Sequence, residues 1–356
     1  MMKRVLKKAY AWVLLIFLVT SFVSLFVVSW SDLDALAGAV LGVTTAVVFV
    51  PAYHELGHVL FAVTNRLQVV YCKCFCVKFY VKDGKKRVGF ANPFAPDETQ
   101  VLPMGSENMQ RRAYAYAVGG LVASAVVLVL SLAIWLALLL NGRDSNLMYA
   151  WLAYAAYLFL LNVLPVEYAT GKTDALVVRG ICKGEPVEQT MLNVMRIQGE
   201  LQAGKSYADI EKEWYFSAPQ ISVEEPLYVA ILEARYAYFV ELEEYEKAFD
   251  CLKRIKEAGD YLSEEEILRL EKNLAYLCLL GGNDEVLKTA AKNDEEYWKS
   301  DDVAIKRTLA LYMQKCGEAE HASLLVQQAE ALLELQPIAG LRKHEQLLLS
   351  RIKQES

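Results

Sequence analysis

Long uninterrupted apolar stretches dominate the first 166 residues. Residues 9–30 carry no charge, residues 35–53 are uncharged with the pattern running on to about Asn65, residues 113–140 give 28 uncharged positions, and residues 147–166 give 20. A bilayer core takes about 20 apolar residues of helix. The pattern therefore predicts four membrane spans, at about 9–30, 35–65, 113–140 and 147–166. Lys3, Arg4, Lys7 and Lys8 precede the first, as in a secretory signal. Its apolar run exceeds the usual h-region of about 7–15 residues, so it reads as a retained anchor.

Between the second and third spans the periodicity changes. Val69–Tyr80 is rich in Val, Tyr, Phe and Cys, and Asp83-Gly84 is a hairpin-turn signal before Arg87–Phe90. A small β-hairpin insertion is expected there. Cys72, Cys74 and Cys76 alternate, which on a strand puts all three thiols on one face. That face could bind metal, but alternating Cys is not a zinc spacing, and three small buried apolar residues is the plainer reading.

Residues 185–356 change again, to apolar positions at helical spacing, as in Leu227, Ala230, Ile231, Ala234 and Tyr238. Tyr245-Glu-Lys-Ala248-Phe249, Asp284-Glu-Val-Leu287 and Ala319-Glu-His-Ala322 each follow an apolar helix and a polar break, 35–39 residues apart. The period is near the ~34 of tetratricopeptide arrays, and the Glu-Tyr-Glu-Lys-Ala-Phe piece resembles that family. An irregular helical bundle is the alternative. The expected fold class is mainly α: a polytopic membrane helical bundle over 1–184 and a soluble all-α, TPR-like domain over 185–356.

Charge sharpens this division. Residues 1–184 carry 17 Lys/Arg against 10 Asp/Glu, whereas residues 185–356 carry 20 against 33. The acidic half argues against nucleic acid as a partner. Basic residues cluster before the first span and in the 65–112 connection, which holds nine Lys/Arg, while the 31–34 loop has two Asp and no base. The positive-inside rule then predicts a multi-pass integral membrane protein with both termini in the cytoplasm.

Two of the four His occur as His54-Glu55-Leu56-Gly57-His58, an H-E-x-x-H sequence in the second predicted span. On a helix, positions i and i+4 share a face, so both imidazoles can grip one ion, with Glu55 placed to take a proton from its bound water. Zinc lowers that water's pKa to about 7. An acidic residue in a span costs about 2.5–3.5 kcal/mol on insertion scales, which nothing except function offsets. Pro51 should kink or loosen the helix just upstream. A catalytic zinc needs a third protein ligand. His321 and His344 lie in the second half, and the carboxylates near the spans include Asp32, Asp34, Glu167 and Asp174. Asp174 is the best candidate; its alternative role is to cap the helix predicted at Ala175–Cys182. Asn162, in an apolar helix, needs a partner, either a substrate backbone or another helix.

H-E-x-x-H in a span, followed about a hundred residues later by Asn162-Val163-Leu164-Pro165 and then by Asp174, resembles the site-2 protease family of intramembrane zinc metalloproteases. That family includes bacterial sporulation-factor processing proteases, so the resemblance implies a bacterial cell membrane. The resemblance covers about residues 35–182. It implies His54, His58 and Asp174 as zinc ligands, Glu55 as catalytic base and Asn162 as a substrate-positioning residue. The chain departs from the family pattern in having Asp174-Ala175 where Asp-Gly is common, and in placing Asp174 twelve positions after Asn162. Gly119-Gly120-Leu121-Val122-Ala123-Ser124 stands where the family has Gly-Pro-x-x-Asn, and its small residues suit close helix packing.

The expected function is zinc-dependent cleavage of a membrane-spanning or membrane-associated protein or peptide, with the helical domain binding a protein partner. The alternatives are a prenyl-protein-type metalloprotease using a later Glu as third ligand, a non-catalytic membrane scaffold with a degenerate site, and a metal transporter or sensor.

Overall fold

The computed structural model describes residues 2–82, 85–93, 95, 97–168, 171–281 and 301–354. Asp83-Gly84 and Asp284–Leu287 lie outside the described residues. The described chain is mainly helical with a small sheet, and four of its helices are long and apolar enough to cross a membrane. It divides into two compact units, Met1–Leu102 with Asn108–Glu188, and Pro103–Glu107 with Gln189–Ser356.

In the first unit, helices α1 (Met2–Ser29), α2 (Leu33–Thr64), α3 (Met109–Leu140) and α4 (Asn146–Val163) form the apolar bundle. Helix α2 opens on an Asp32 cap whose carboxylate accepts from the Asp34 and Ala35 amides. At its other end the Arg112 guanidinium of α3 donates to the Asn65 and Arg66 carbonyls, satisfying acceptors that a helix end leaves free. Helix α4 stops at Val163 rather than running to 166, because Leu164 precedes Pro165 and adopts extended angles.

Small residues let these helices touch along their backbones. A Cβ added at Gly57 would stand 2.5 Å from the Ala123 Cβ, and one at Gly42 would stand 2.7 Å from the Leu147 Cα. Without water or a strong hydrophobic drive between helices, such close approach and interhelical bonds hold a bundle together. The Trp151 indole donates to Thr45 Oγ1 at 2.8 Å, and Asn146 Nδ2 donates to Ser29 Oγ and the Ala35 carbonyl.

Four strands lie between α2 and α3: β1 (Leu67–Cys74), β2 (Val77–Lys82), β3 (Lys85–Phe90) and β4 (Glu98–Pro103), in sheet order β3-β2-β1-β4. The stretch Val69–Tyr80 is thus two strands and not one run. The break falls at Phe75-Cys76, where Phe75 takes φ 52° and its amide donates to Asp97 Oδ1. This corrects the expected thiol face. Cys72 and Cys74 share a face of β1, with sulfurs 3.8 Å apart, whereas Cys76 sits in the turn. Buried Lys73 bonds Asp97 and the Ala95 carbonyl, fixing the segment that leads into β4.

After α4 the chain makes a two-stranded hairpin, β5 (Glu167–Tyr168) and β6 (Gly171–Lys172), before helix α5 (Asp174–Lys183). Helix α6 (Pro186–Gln202) begins in the first unit and continues into the second. The second unit adds α7 (Lys212–Phe216), α8 (Pro226–Glu241), α9 (Tyr245–Glu257), α10 (Glu264–Leu280), α11 (Val303–Lys315), α12 (Ala319–Leu333) and α13 (Ala339–Gln354). Its core includes Ile197, Leu201, Tyr215, Ile231 and Tyr238.

Two turns in this unit have the same construction. Glu243 (φ 61°) and Gly317 (φ 82°) both take left-handed angles. The Glu244 amide donates to the Phe239 carbonyl and the Glu318 amide to the Met313 carbonyl, each at 2.9 Å. These are paired Schellman stops, each followed by a new helix two residues later. They lie 74 positions apart. Helix α13 meets the end of α8, where Arg351 donates to the Val240 and Glu241 carbonyls and His344 Nδ1 bonds the Glu241 carboxylate at 2.6 Å.

Candidate metal centre

His54, Glu55 and His58 lie in the second half of α2, and all three are buried. One turn of helix separates the rings, and their Nε2 atoms face each other at 3.3 Å. Asp174, the first residue of α5, completes the set, with Oδ2 3.3 Å from His54 Nε2 and Oδ1 3.4 Å from His58 Nε2. Bonds of about 2.0–2.1 Å at tetrahedral angles place ligand atoms about 3.3 Å apart. Each imidazole nitrogen stands at about that spacing from the other and from one of the two carboxylate oxygens.

Proton bookkeeping supports a cation. His58 Nδ1 lies 2.9 Å from the Tyr116 carbonyl. A carbonyl only accepts, so Nδ1 carries the hydrogen and the Nε2 lone pair points into the site. His54 Nδ1 is held by Ser124 Oγ at 2.8 Å, which likewise aims its Nε2 inward. Asp174 Oδ2 is buried without a hydrogen-bond donor. Two imidazole nitrogens and a carboxylate thus converge on one point, a set that could hold a metal ion and that a divalent ion would satisfy.

The surroundings are shaped for the rings. A Cβ at Gly120 of α3 would lie 2.7 Å from His54 Cε1 and 2.8 Å from His58 Cε1, so the glycine provides the space they occupy. Glu55 Oε2 accepts from Thr99 Oγ1 at 2.6 Å. The Thr99 carbonyl in turn accepts from the Tyr116 hydroxyl, so β4 and α3 together fix the carboxylate. The same Thr99 hydroxyl lies 3.6 Å from Cys72 Sγ. A hydrogen bond from Cys74 holds the Cys72 thiol well below the usual range, against the opposing effect of burial, and pushes Cys74 up.

These groups open on a cavity of about 530 Å³, whose walls include Pro51, Tyr154, Tyr157, Asn162 and Lys172. Asn162 is therefore near the site, but its amide donates to the Leu158 carbonyl of its own helix at 3.2 Å. The capping alternative for Asp174 belongs instead to Thr173, which precedes α5 and accepts from the Leu176 amide. Glu167, the other third-ligand candidate, lies exposed on β5. His321 pairs with Glu318 and His344 with Glu241 in the second unit.

Sequence reasoning missed Thr99, Ser124, Tyr116 and Thr173. Ser124 was within reach, being the one polar side chain in the small-residue run from Gly119. The other three carried no local signal.

The long spacing between Asn162 and Asp174 has a structural explanation. The extra residues form the β5–β6 hairpin, which leaves and returns at one place. The Thr173 amide donates to the Val166 carbonyl at 3.1 Å, and Thr173 Oγ1 donates to the Leu164 carbonyl at 2.7 Å. The excursion adds length without moving the point from which α5 starts. The chain matches no protein-family model, no curated protein and no solved structure.

Proposed function

We propose that this protein is a membrane-embedded zinc metallopeptidase that cleaves a membrane-spanning or membrane-associated protein or peptide. The observation that carries the reading is the meeting of His54, His58 and Asp174 as three convergent acceptors beside Glu55, in a cavity among apolar helices. A metal ion held by these residues would supply Lewis-acid polarisation of a carbonyl and a water acidic near neutral pH.

The side chains have separable tasks. Ser124 and the Tyr116 carbonyl orient the rings. Thr99 holds Glu55, which takes the proton from the attacking water and delivers it to the leaving amine as the C–N bond breaks. Helices α2, α3 and α4 exclude lipid from the cavity. Asn162 and the tyrosines of its wall supply donors to an unwound substrate backbone, which a lipid environment otherwise keeps internally hydrogen-bonded.

Basic residues before α1 and between α2 and α3 support a topology with both termini in the cytoplasm, by the positive-inside rule. The recurring helix–turn–helix unit of the second half supports a TPR-like platform for a protein partner.

The test is Glu55→Gln in the purified, lipid-reconstituted protein. Full metal content with loss of peptide cleavage is expected. Full cleavage by that variant would refute the assignment, and metal binding without cleavage by the wild type would favour a scaffold.

A further inference from the structure

Asp174 hangs between the β5–β6 hairpin and helix α5, and one side chain from outside that segment grips both. Glu188, in the first turn of α6, reaches back to Lys172, two residues before Asp174, with Oε1 3.1 Å from Nζ. Its side chain is 5% exposed and that of Lys172 23%. A carboxylate so enclosed needs its cation. On the way it crosses α5 at Gly180, where an added Cβ would stand 2.5–2.7 Å from Glu188 Cγ, Cδ and Oε2. Glycine inside a helix costs stability relative to alanine, and here it admits the crossing carboxylate.

We infer that Glu188 is the positioning residue of the third metal ligand: through Lys172 and across Gly180 it fixes the strand and the helix between which Asp174 is held. The hairpin alone is a weak mount. Its two strands pair at Glu167↔Lys172 and Tyr168↔Gly171, and Thr173 ties its base to Val166 and Leu164. An isolated hairpin of that size is marginal, so the ligand's placement depends on what braces it.

The inference rests on the proposed metal site but not on proteolysis, and its readout is metal affinity. Zinc affinity would be measured by chelator competition on the full chain in detergent. The visible spectrum of the cobalt-loaded protein would report ligand geometry. Glu188→Gln and Lys172→Met should each weaken zinc binding by about tenfold or more, the effect usual for outer residues that orient ligands, and should shift the cobalt bands. The reversed pair, Lys172→Glu with Glu188→Lys, should recover most of the affinity lost by either single change. Wild-type affinity in Glu188→Gln, or a reversed pair no better than the single variants, overturns the inference. If Glu188→Gln does not fold, Lys172→Met tests the same link from the more exposed side, and unchanged affinity there overturns it as well. A wild type that binds zinc but cuts nothing removes the peptidase reading and leaves this one standing. A wild type that binds no zinc removes both.

Discussion

Replacing Asp174 is the sharpest test of the metal centre, because the two candidate third ligands differ so clearly in placement. Asp174 Oδ1 and Oδ2 stand 3.4 and 3.3 Å from the two Nε2 atoms, while Glu167 is exposed on the hairpin. Structural zinc sites with four ligands bind their ion with about 10–16 kcal/mol, or about 2.5–4 kcal/mol per ligand. At about 1.4 kcal/mol per decade, loss of one ligand weakens binding by about 10²–10³-fold. Asp174→Ala should fall in that range. Asp174→Asn keeps a neutral oxygen in place and should sit at its lower end. Glu167→Ala should change affinity by less than about threefold, because its carboxylate is exposed on the hairpin and solvent screens it from the centre. Chelator competition with zinc, checked by elemental analysis of the purified protein, measures all three. Metal lost in Glu167→Ala and retained in Asp174→Ala would refute the centre described above and favour a ligand set of the prenyl-protein type.

Four further outcomes are expected. Thr99→Val removes the donor to Glu55 and should lower peptide turnover at least tenfold while zinc content stays whole, as read by cleavage and metal assays on one preparation. Thr173→Val removes both the α5 cap and the tie to Leu164, and should cost about 1–2 kcal/mol in denaturant unfolding together with weaker zinc binding. Cys72 should react with a small neutral alkylating agent at lower pH than Cys74, as mass spectrometry of the two sites over a pH series will show, because only the Cys72 thiol is held below its ordinary range. Burial works to raise Glu241, but His344 and the Ala208 and Tyr207 amides outweigh it and hold the carboxyl below the usual value of 4.5. A depressed carboxylate contributes stability that is present above its unfolded pKa and lost as pH falls through the folded value. The melting temperature should therefore drop on acidification below about pH 4.5, and Glu241→Gln should flatten that drop.

The legible and illegible parts of the site divide by where their information lies. His54, Glu55 and His58 were readable because one helix sets their geometry: spacing along the chain fixes the face. The four long apolar helices were readable because their length and apolarity are recorded directly in the composition. Asp174 was readable only as a candidate, since its approach to the rings depends on where α4 ends and how the hairpin closes. Thr99 and Tyr116 gave no sign at all. Each is an ordinary residue in its own element, and becomes part of the site only when β4 and α3 are brought to α2. The three-thiol face failed for a related reason. Alternation was the right rule for a strand, but Phe75 turned the chain between Cys74 and Cys76, helped by an Asp97 contact from twenty-two residues away.

The hairpin before Asp174 joins these points. A step of twelve positions from Asn162 to Asp174 looked like a departure large enough to displace the ligand. Only the positions at the two ends of an excursion govern where the chain resumes, and here Val166 and Thr173 meet within one hydrogen bond. Length inserted between them is therefore free to vary, provided that something holds the loop against the rest of the protein. Lys172 and Glu188 meet that condition. Shortening the loop by removing residues 167–172 and joining Val166 to Thr173 should then have a specific consequence. If closure at Val166–Thr173 alone positions Asp174, the shortened protein binds zinc as the wild type does. If the brace through Glu188 is needed, affinity falls as in Lys172→Met, and restoring the loop without its lysine fails to recover it.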